Sequence, residues 1–217
     1  MSVDPETLRQ IEALSQDERP LLVLDVDDVL LDFVGPLPRY LASRGYRLRL
    51  DTFRLHGNVF EIDSGAEAEK ERVTELLNDF FAVQTDWQTL VEGAAEAVGR
   101  IARDAEVVLL TAMPHRHRDT RRRHLDALGL TYPLLTTEMA KGPAIHRLRG
   151  DSGRPVAFVD DIPRNLVSAR ESVADAHLFH LMADNALRAL LPPPDEGVVV
   201  VHDWPDAETK IAAALGL

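Results

Sequence analysis

The sequence contains no cysteine. That excludes disulfides, thiolate catalysis and every cysteine-ligated zinc or iron–sulfur site. Positive charge is also scarce: 24 Lys and Arg face 36 Asp and Glu, for a formal net charge of −12. A chain this acidic is repelled by phosphate backbones and anionic lipid, so neither a nucleic-acid polymer nor a membrane is expected as a partner. Long apolar runs are missing as well. The longest, residues 21–34, is broken by four aspartates and cannot span a bilayer. The opening residues lack the basic and apolar regions of a signal peptide, and a cytoplasmic protein is expected. No heptads mark an oligomer interface, and the oligomeric state stays open. What is present is 217 residues, enough for one large domain with a modest insert and a substantial core.

Short continuous apolar runs alternate with helical patterns along most of the chain. Residues 20–24, 106–110, 155–159, 176–181 and 198–201 read as buried strands, with 132–135 as a further candidate. Leu90, Val91, Ala94, Ala95, Val98, Ile101 and Ala102 follow the spacing of an apolar helix stripe, and Pro163 opens another helix. Leu8, Ile11 and Leu14 suggest a leading helix packed on the outside. This alternation predicts an α/β fold, a Rossmann-like parallel sheet with helices on both faces. Residues 33–88 break the rhythm. They hold two helices, one over 36–44 ending at Gly45, the other carrying Val73, Leu76, Leu77, Phe80 and Phe81 on one face. The expected organisation is a core of residues 1–32 and 89–217, with a small all-helical cap, 33–88, inserted after the first strand. Such an insert lies over the carboxyl ends of the strands, where parallel sheets bind ligands.

The chemistry gathers at those strand ends. Asp25-Val26-Asp27-Asp28 follows the first strand, and strand periodicity puts Asp25 and Asp27 on one side. A single aspartate there would commonly be a cap or a turn former. Here a second pair, Asp160-Asp161, follows another apolar run, with Asn165 beyond it. Several carboxylates at one sheet edge repel one another unless a cation or a shared proton holds them. All-oxygen ligands without His or Cys suit a hard cation, Mg2+ above Zn2+. Thr111 ends a third strand with a hydroxyl, and Lys141 offers an ammonium ahead of a helix. A hydroxyl, an ammonium and a carboxylate-held cation are what a transferring phosphoryl group needs around its oxygens.

In these motifs the chain resembles the haloacid dehalogenase-like (HAD) hydrolases, specifically their phosphatase branch. The resemblance spans residues 20–205, including the position of the insert. It implies that Asp25 is the nucleophile and forms an aspartyl-phosphate, and that Asp27 is the general acid and base. It implies a Mg2+ held by Asp25, Asp161 and the backbone carbonyl of Asp27. Thr111, Ala112 and Lys141 would bind phosphoryl oxygens, while Asp160 and Asn165 orient a ligand or Lys141. The presence of Asp27 favours phosphate over halide chemistry. Asp25 to Phe33 is similar to the first motif of the (deoxy)ribonucleotidase-like members, which makes a nucleoside monophosphate the first substrate to consider. Asp28 is a departure, because the family usually has glycine there. Phosphotransfer, as in a mutase, uses the same motifs, and a non-catalytic phosphate-binding module is the third alternative.

Residues 115–124 form the dense basic segment of an acidic chain. It reads first as a solvated helix face. Its members closest to Thr111, His115 and Arg116, are the candidates for contact with an anionic substrate. Phe33, with Phe53 and Phe60, would either line an apolar slot for a base or sugar or simply pack together. His56, His146, His177, His180 and His202 show no metal spacing and are read as structural.

Overall fold

The computed structural model describes residues 2–15, 17–49, 55–182 and 193–217. Phe53 lies outside them. In chain order the elements are α1 (Pro5–Glu12), β1 (Leu21–Leu24), α2 (Leu37–Ser43), β2 (Tyr46–Leu48), β3 (Val59–Glu61), α3 (Lys70–Ala82), α4 (Ala94–Ile101), β4 (Glu106–Thr111), α5 (Arg118–Ala127), β5 (Leu134–Thr136), α6 (Lys141–Arg149), β6 (Val156–Asp160), α7 (Pro163–Ser172), β7 (His177–Leu181), β8 (Val198–Val201) and α8 (Trp204–Leu215). Six strands form one sheet in the order β5-β4-β1-β6-β7-β8, and every pairing is parallel. No described helix is long and apolar enough to cross a membrane.

The sheet is covered on both faces, as the unbroken apolar runs require. Leu22 and Leu24 of β1 face a cluster completed by Ala97 and Val98 of α4, Leu125 of α5 and Trp204 and Ile211 of α8. The alternate residues Leu21 and Val23 face Ile11 of α1, Ile145 of α6 and Leu166 of α7. The leading helix therefore belongs to the core packing, and its Thr7 and Gln10 bind Thr136 at the end of β5. Helix α4 starts only at Ala94, after Gly93 in the left-handed region at φ 77°. Leu90 and Val91, counted in the apolar stripe above, are extended instead and pair with Leu31 and Leu30 of the outgoing chain.

The insert corrects one expectation. It holds the two expected helices, α2 and α3, but it is not all-helical: β2 and β3 form an antiparallel ribbon. Each strand has three residues and only Val59 is buried, too short and too exposed for an alternating pattern to register in the sequence. Leu37, Tyr40, Leu41, Val59, Val73, Leu76 and Phe80 make an apolar cluster of their own, joined by Phe33, Phe81 and Trp87.

The close packing of α6 on α7 fixes where the sheet's chemistry begins. Gly142 donates its N–H to Ser168 Oγ at 3.1 Å, and a Cβ on Gly142 would stand 1.9 Å from the Ser168 carbonyl oxygen. The glycine beside Lys141 is thus required by helix contact. Gly142→Ala should cost about 1–3 kcal/mol in chemical denaturation. Gly99→Ala, in an α4 position with ordinary space for a Cβ, should instead gain about 0.5–1 kcal/mol. Equal effects of the two substitutions would contradict this packing.

Candidate active site

Parallel pairing brings the expected strand ends to one edge. Leu24 is in register with Leu109 and Val159, and the Asp25 N–H donates to the Val159 carbonyl at 3.0 Å. The next residues therefore put Asp25 beside Asp160, with Thr111 close on the other flank. Lys141, the first residue of α6, reaches into this edge and is fully buried. Its Nζ lies 2.6 Å from Asp25 Oδ1 and 2.7 Å from Asp160 Oδ2.

Each carboxylate has a different degree of satisfaction. Asp160 is saturated. Oδ1 accepts from the Ile162 N–H at 2.8 Å and from Asn165 Nδ2 at 2.9 Å, while Oδ2 takes Lys141. Asp160 and Asn165 thus orient Lys141. Asp25 has Lys141 alone, and burial pushes it up to about 7 against the pull of the ammonium, with Asp160 and Asp27 adding to the rise. Burial alone would depress Lys141, but Asp160 and Asp25 outweigh it and hold the ammonium above its usual range. Asp161 is buried, and no hydrogen bond or ion pair among the described residues reaches its carboxylate. Burial, then Asp160, Asp25 and Asp28, raise it well above the ordinary carboxylate range. Ligand oxygens of Asp25, Asp160 and Asp161 lie within 4.8 Å of one another. Three buried carboxyl groups share one ammonium, so burial disfavours the ionised forms of Asp25 and Asp161 unless a cation joins them, and oxygen donors of this kind fit a hard cation. The buried Thr111 hydroxyl also has no partner among the described residues.

Asp27 belongs to the same edge but not to the three-carboxylate group. Its Oδ1 accepts from Gln88 Nε2 at 2.8 Å and from Arg121 Nη2 at 2.9 Å. Asp28 adopts φ 57°, the left-handed conformation that suits glycine and that Asp tolerates best after Asn. Its buried carboxylate accepts from the N–H groups of Phe33 and Val34, at 2.9 and 3.0 Å, so it ties down the chain entering the insert. The backbone turn is preserved without glycine.

The substrate-contact candidates are less well placed. His115 has both ring nitrogens occupied, by Thr136 Oγ1 at 2.7 Å and by Asp4, the N-cap of α1, at 3.1 Å. Arg116 is exposed with no partner among the described residues, and Ala112 is exposed at the end of β4. Phe33 packs on Phe80 and Phe81 within the insert, with ring centroids 5.5 and 5.9 Å away, while Phe60 lies under Arg49 on the ribbon. Those two rings form no common slot. The basic segment is not a solvated face throughout: Arg118 and Arg122 bind backbone carbonyls at Leu134 and Tyr132, and Arg121 is fully buried. Sequence reasoning missed Arg121, Gln84 and Gln88 as site residues, because nothing in their spacing announces burial. It also took His180 as structural only, whereas its Nε2 contacts the Asp161 carbonyl oxygen at 2.9 Å and steadies that loop.

No family model matches the sequence, and no curated protein matches it. Solved structures do. A HAD-family hydrolase from Deinococcus radiodurans R1, described with bound phosphate and sodium, is 16% identical with a TM-score of 0.57, covering 91% of this chain and 96% of that one. A protein of Thermotoga maritima, provisionally assigned as a beta-phosphoglucomutase, is 18% identical with a TM-score of 0.58, covering 90% and 100%. A provisionally assigned HAD hydrolase of Bacillus subtilis, described with bound magnesium, is 12% identical with a TM-score of 0.58, covering 92% and 99%. These likenesses show that the chain has the fold of the haloacid dehalogenase-like hydrolases.

Proposed function

We propose that the chain is a Mg2+-dependent phosphatase that hydrolyses a small organic phosphomonoester through an aspartyl-phosphate on Asp25. The observation that carries this reading is the buried Lys141 shared by Asp25 and Asp160, beside Asp161 and a Thr111 hydroxyl that has no partner among the described residues. An Asp25 oxygen attacks phosphorus and the ester P–O bond breaks, while Asp27 gives a proton to the leaving oxygen. A water then attacks phosphorus, its proton passes to Asp27, and inorganic phosphate leaves with the Asp25 carboxylate restored. Lys141 and Thr111 hold phosphoryl oxygens, with the exposed strand end at Ala112 beside them. Asp25, Asp161 and the Asp27 backbone carbonyl would hold the cation, which supplies charge neutralisation for the phosphoryl group. We take residues 33–88 as a cap over this edge, on the strength of their separate apolar cluster and the paired linkers at Leu31 and Leu90.

A nucleoside monophosphate is the first substrate to test. Phosphotransfer to an organic acceptor is the second reading, favoured by the likeness to the provisionally assigned mutase. A small phosphoester and the acidic, cysteine-free composition fit a cytoplasmic setting, with neither nucleic-acid polymer nor membrane as partner.

Phosphate release from a panel of nucleotides and sugar phosphates should require Mg2+, stop with chelator, and fall by at least about 10³-fold in Asp25→Asn. A folded wild type that releases no phosphate from any substrate would overturn the hydrolase reading. Thermal melting tests the cation independently. Mg2+ should raise the wild-type Tm. Asp161→Asn, which removes a carboxyl group that burial disfavours ionising, should raise the Mg2+-free Tm by about 2–4 °C and abolish the Mg2+ response. A wild-type Tm indifferent to Mg2+ would contradict the assignment.

A further inference from the structure

We propose that Arg121 is the positioning residue for the acid Asp27, an inference that rests on the phosphatase reading above. Arg121 stands on α5, in the middle of the basic segment, yet none of its side chain is exposed. Its Nη2 donates to Asp27 Oδ1 at 2.9 Å and to Gln88 Oε1 at 3.2 Å. Gln88 Nε2 donates to the same Asp27 oxygen at 2.8 Å. The Arg121 Nε donates to Gln84 Oε1, and the guanidinium lies 5.8 Å from the Phe81 ring centroid. Nη1 is buried without a partner among the described residues. A buried guanidinium with an unfilled donor is a poor device for stability alone.

The geometry does something specific to Asp27. Two N–H donors converge on Oδ1, so the acid's exchangeable proton has to sit on Oδ2, which no described residue occupies. A carboxyl group free to rotate would present its proton to the leaving oxygen only part of the time. The clamp holds one rotamer and one oxygen in place, the kind of positioning that general acid catalysis depends on. Gln84 and Gln88 lie on the chain returning from the insert, and His117, ahead of α5, also contacts Asn78 of α3 at 3.3 Å. The alignment of the acid is therefore built from the insert's return segment and α5 together.

The test compares ester substrates that differ in their need for an acid. Glycerol phosphate has a poor alkoxide leaving group, whereas p-nitrophenyl phosphate releases p-nitrophenolate, which needs little protonation. Arg121→Met removes the donor while roughly conserving volume. It should lower kcat on glycerol phosphate by about 10–100-fold and on p-nitrophenyl phosphate by less than about threefold, with KM little changed. Arg121→Lys should recover part of the loss, and Gln88→Leu should show the same selectivity at smaller size. Asp27→Asn calibrates the scale, with the same substrate preference and a larger effect. Should Arg121→Met fail to fold, Arg121→Lys and Gln88→Leu decide by the same criterion. Equal losses on both esters in folded variants, or a change confined to KM, would overturn the positioning role. Where the panel yields a better alkyl phosphate it replaces glycerol phosphate, and a wild type inactive on every ester would instead sink the phosphatase reading, and this inference with it.

Discussion

Burying an ammonium without water is expensive, and Lys141 is buried completely. It is tolerated because two carboxylates meet it at 2.6 and 2.7 Å, and because those carboxylates come from the ends of adjacent strands. Everything that holds the two strand ends in place therefore also holds the charge triad. Asp160 is pinned by Asn165 and by the Ile162 N–H, α6 is brought onto α7 at Gly142, and Trp204 Nε1 donates to the Val29 carbonyl at 2.9 Å in the loop beyond Asp27. The remaining imbalance is directional. Asp160 is met by Lys141, Asn165 and the Ile162 N–H, whereas among the described residues Asp25 has Lys141 alone and no donor reaches the Asp161 carboxylate, the imbalance on which the proposed cation and phosphoryl sites rest.

The elements that the sequence made legible are those whose residue types and burial coincide. Strands β1, β4 and β6 are continuous apolar runs because both sheet faces are covered. Each ends abruptly in a polar group, so the boundary itself locates Asp25, Thr111 and Asp160. Lys141 was legible for the same reason, standing between a strand and a helix. The residues that escaped notice owe their position to tertiary packing. Arg121 sits among Arg118, Arg122, Arg123 and His124, and only the docking of α5 against residues 84–88 separates the one buried arginine from its neighbours. His115 was read as a substrate contact from proximity to Thr111 in the chain. In space the N-cap of α1 claims it, a partner 111 residues away.

The insert illustrates a second limit. Its helices were visible as an amphipathic face and a glycine stop, while the β2–β3 ribbon of three-residue strands left no pattern to read. Asp28 was visible as an oddity, a carboxylate in a position that favours glycine. Its φ of 57° and its two backbone hydrogen bonds turn the oddity into a tie between the loop after β1 and the entry to the insert. Asp28 on the way in and Gln88 on the way out thus flank Asp27, the residue proposed to handle the proton. Of these, the linker on the way out contacts the Asp27 carboxylate directly through Gln88, while Asp28 ties down the one on the way in.

In the proposed reaction Asp25 receives the phosphoryl group while Lys141 and Thr111 grip its oxygens. A crystal structure with Mg2+ and beryllium trifluoride, which mimics a phosphoryl group on a carboxylate, tests it most directly. Beryllium should bond to an Asp25 oxygen, with Lys141 Nζ and Thr111 Oγ1 within hydrogen-bond distance of its fluorines and Mg2+ against Asp161. Beryllium trifluoride absent from Asp25, or bound there with Lys141 still directed only at Asp160, would contradict it.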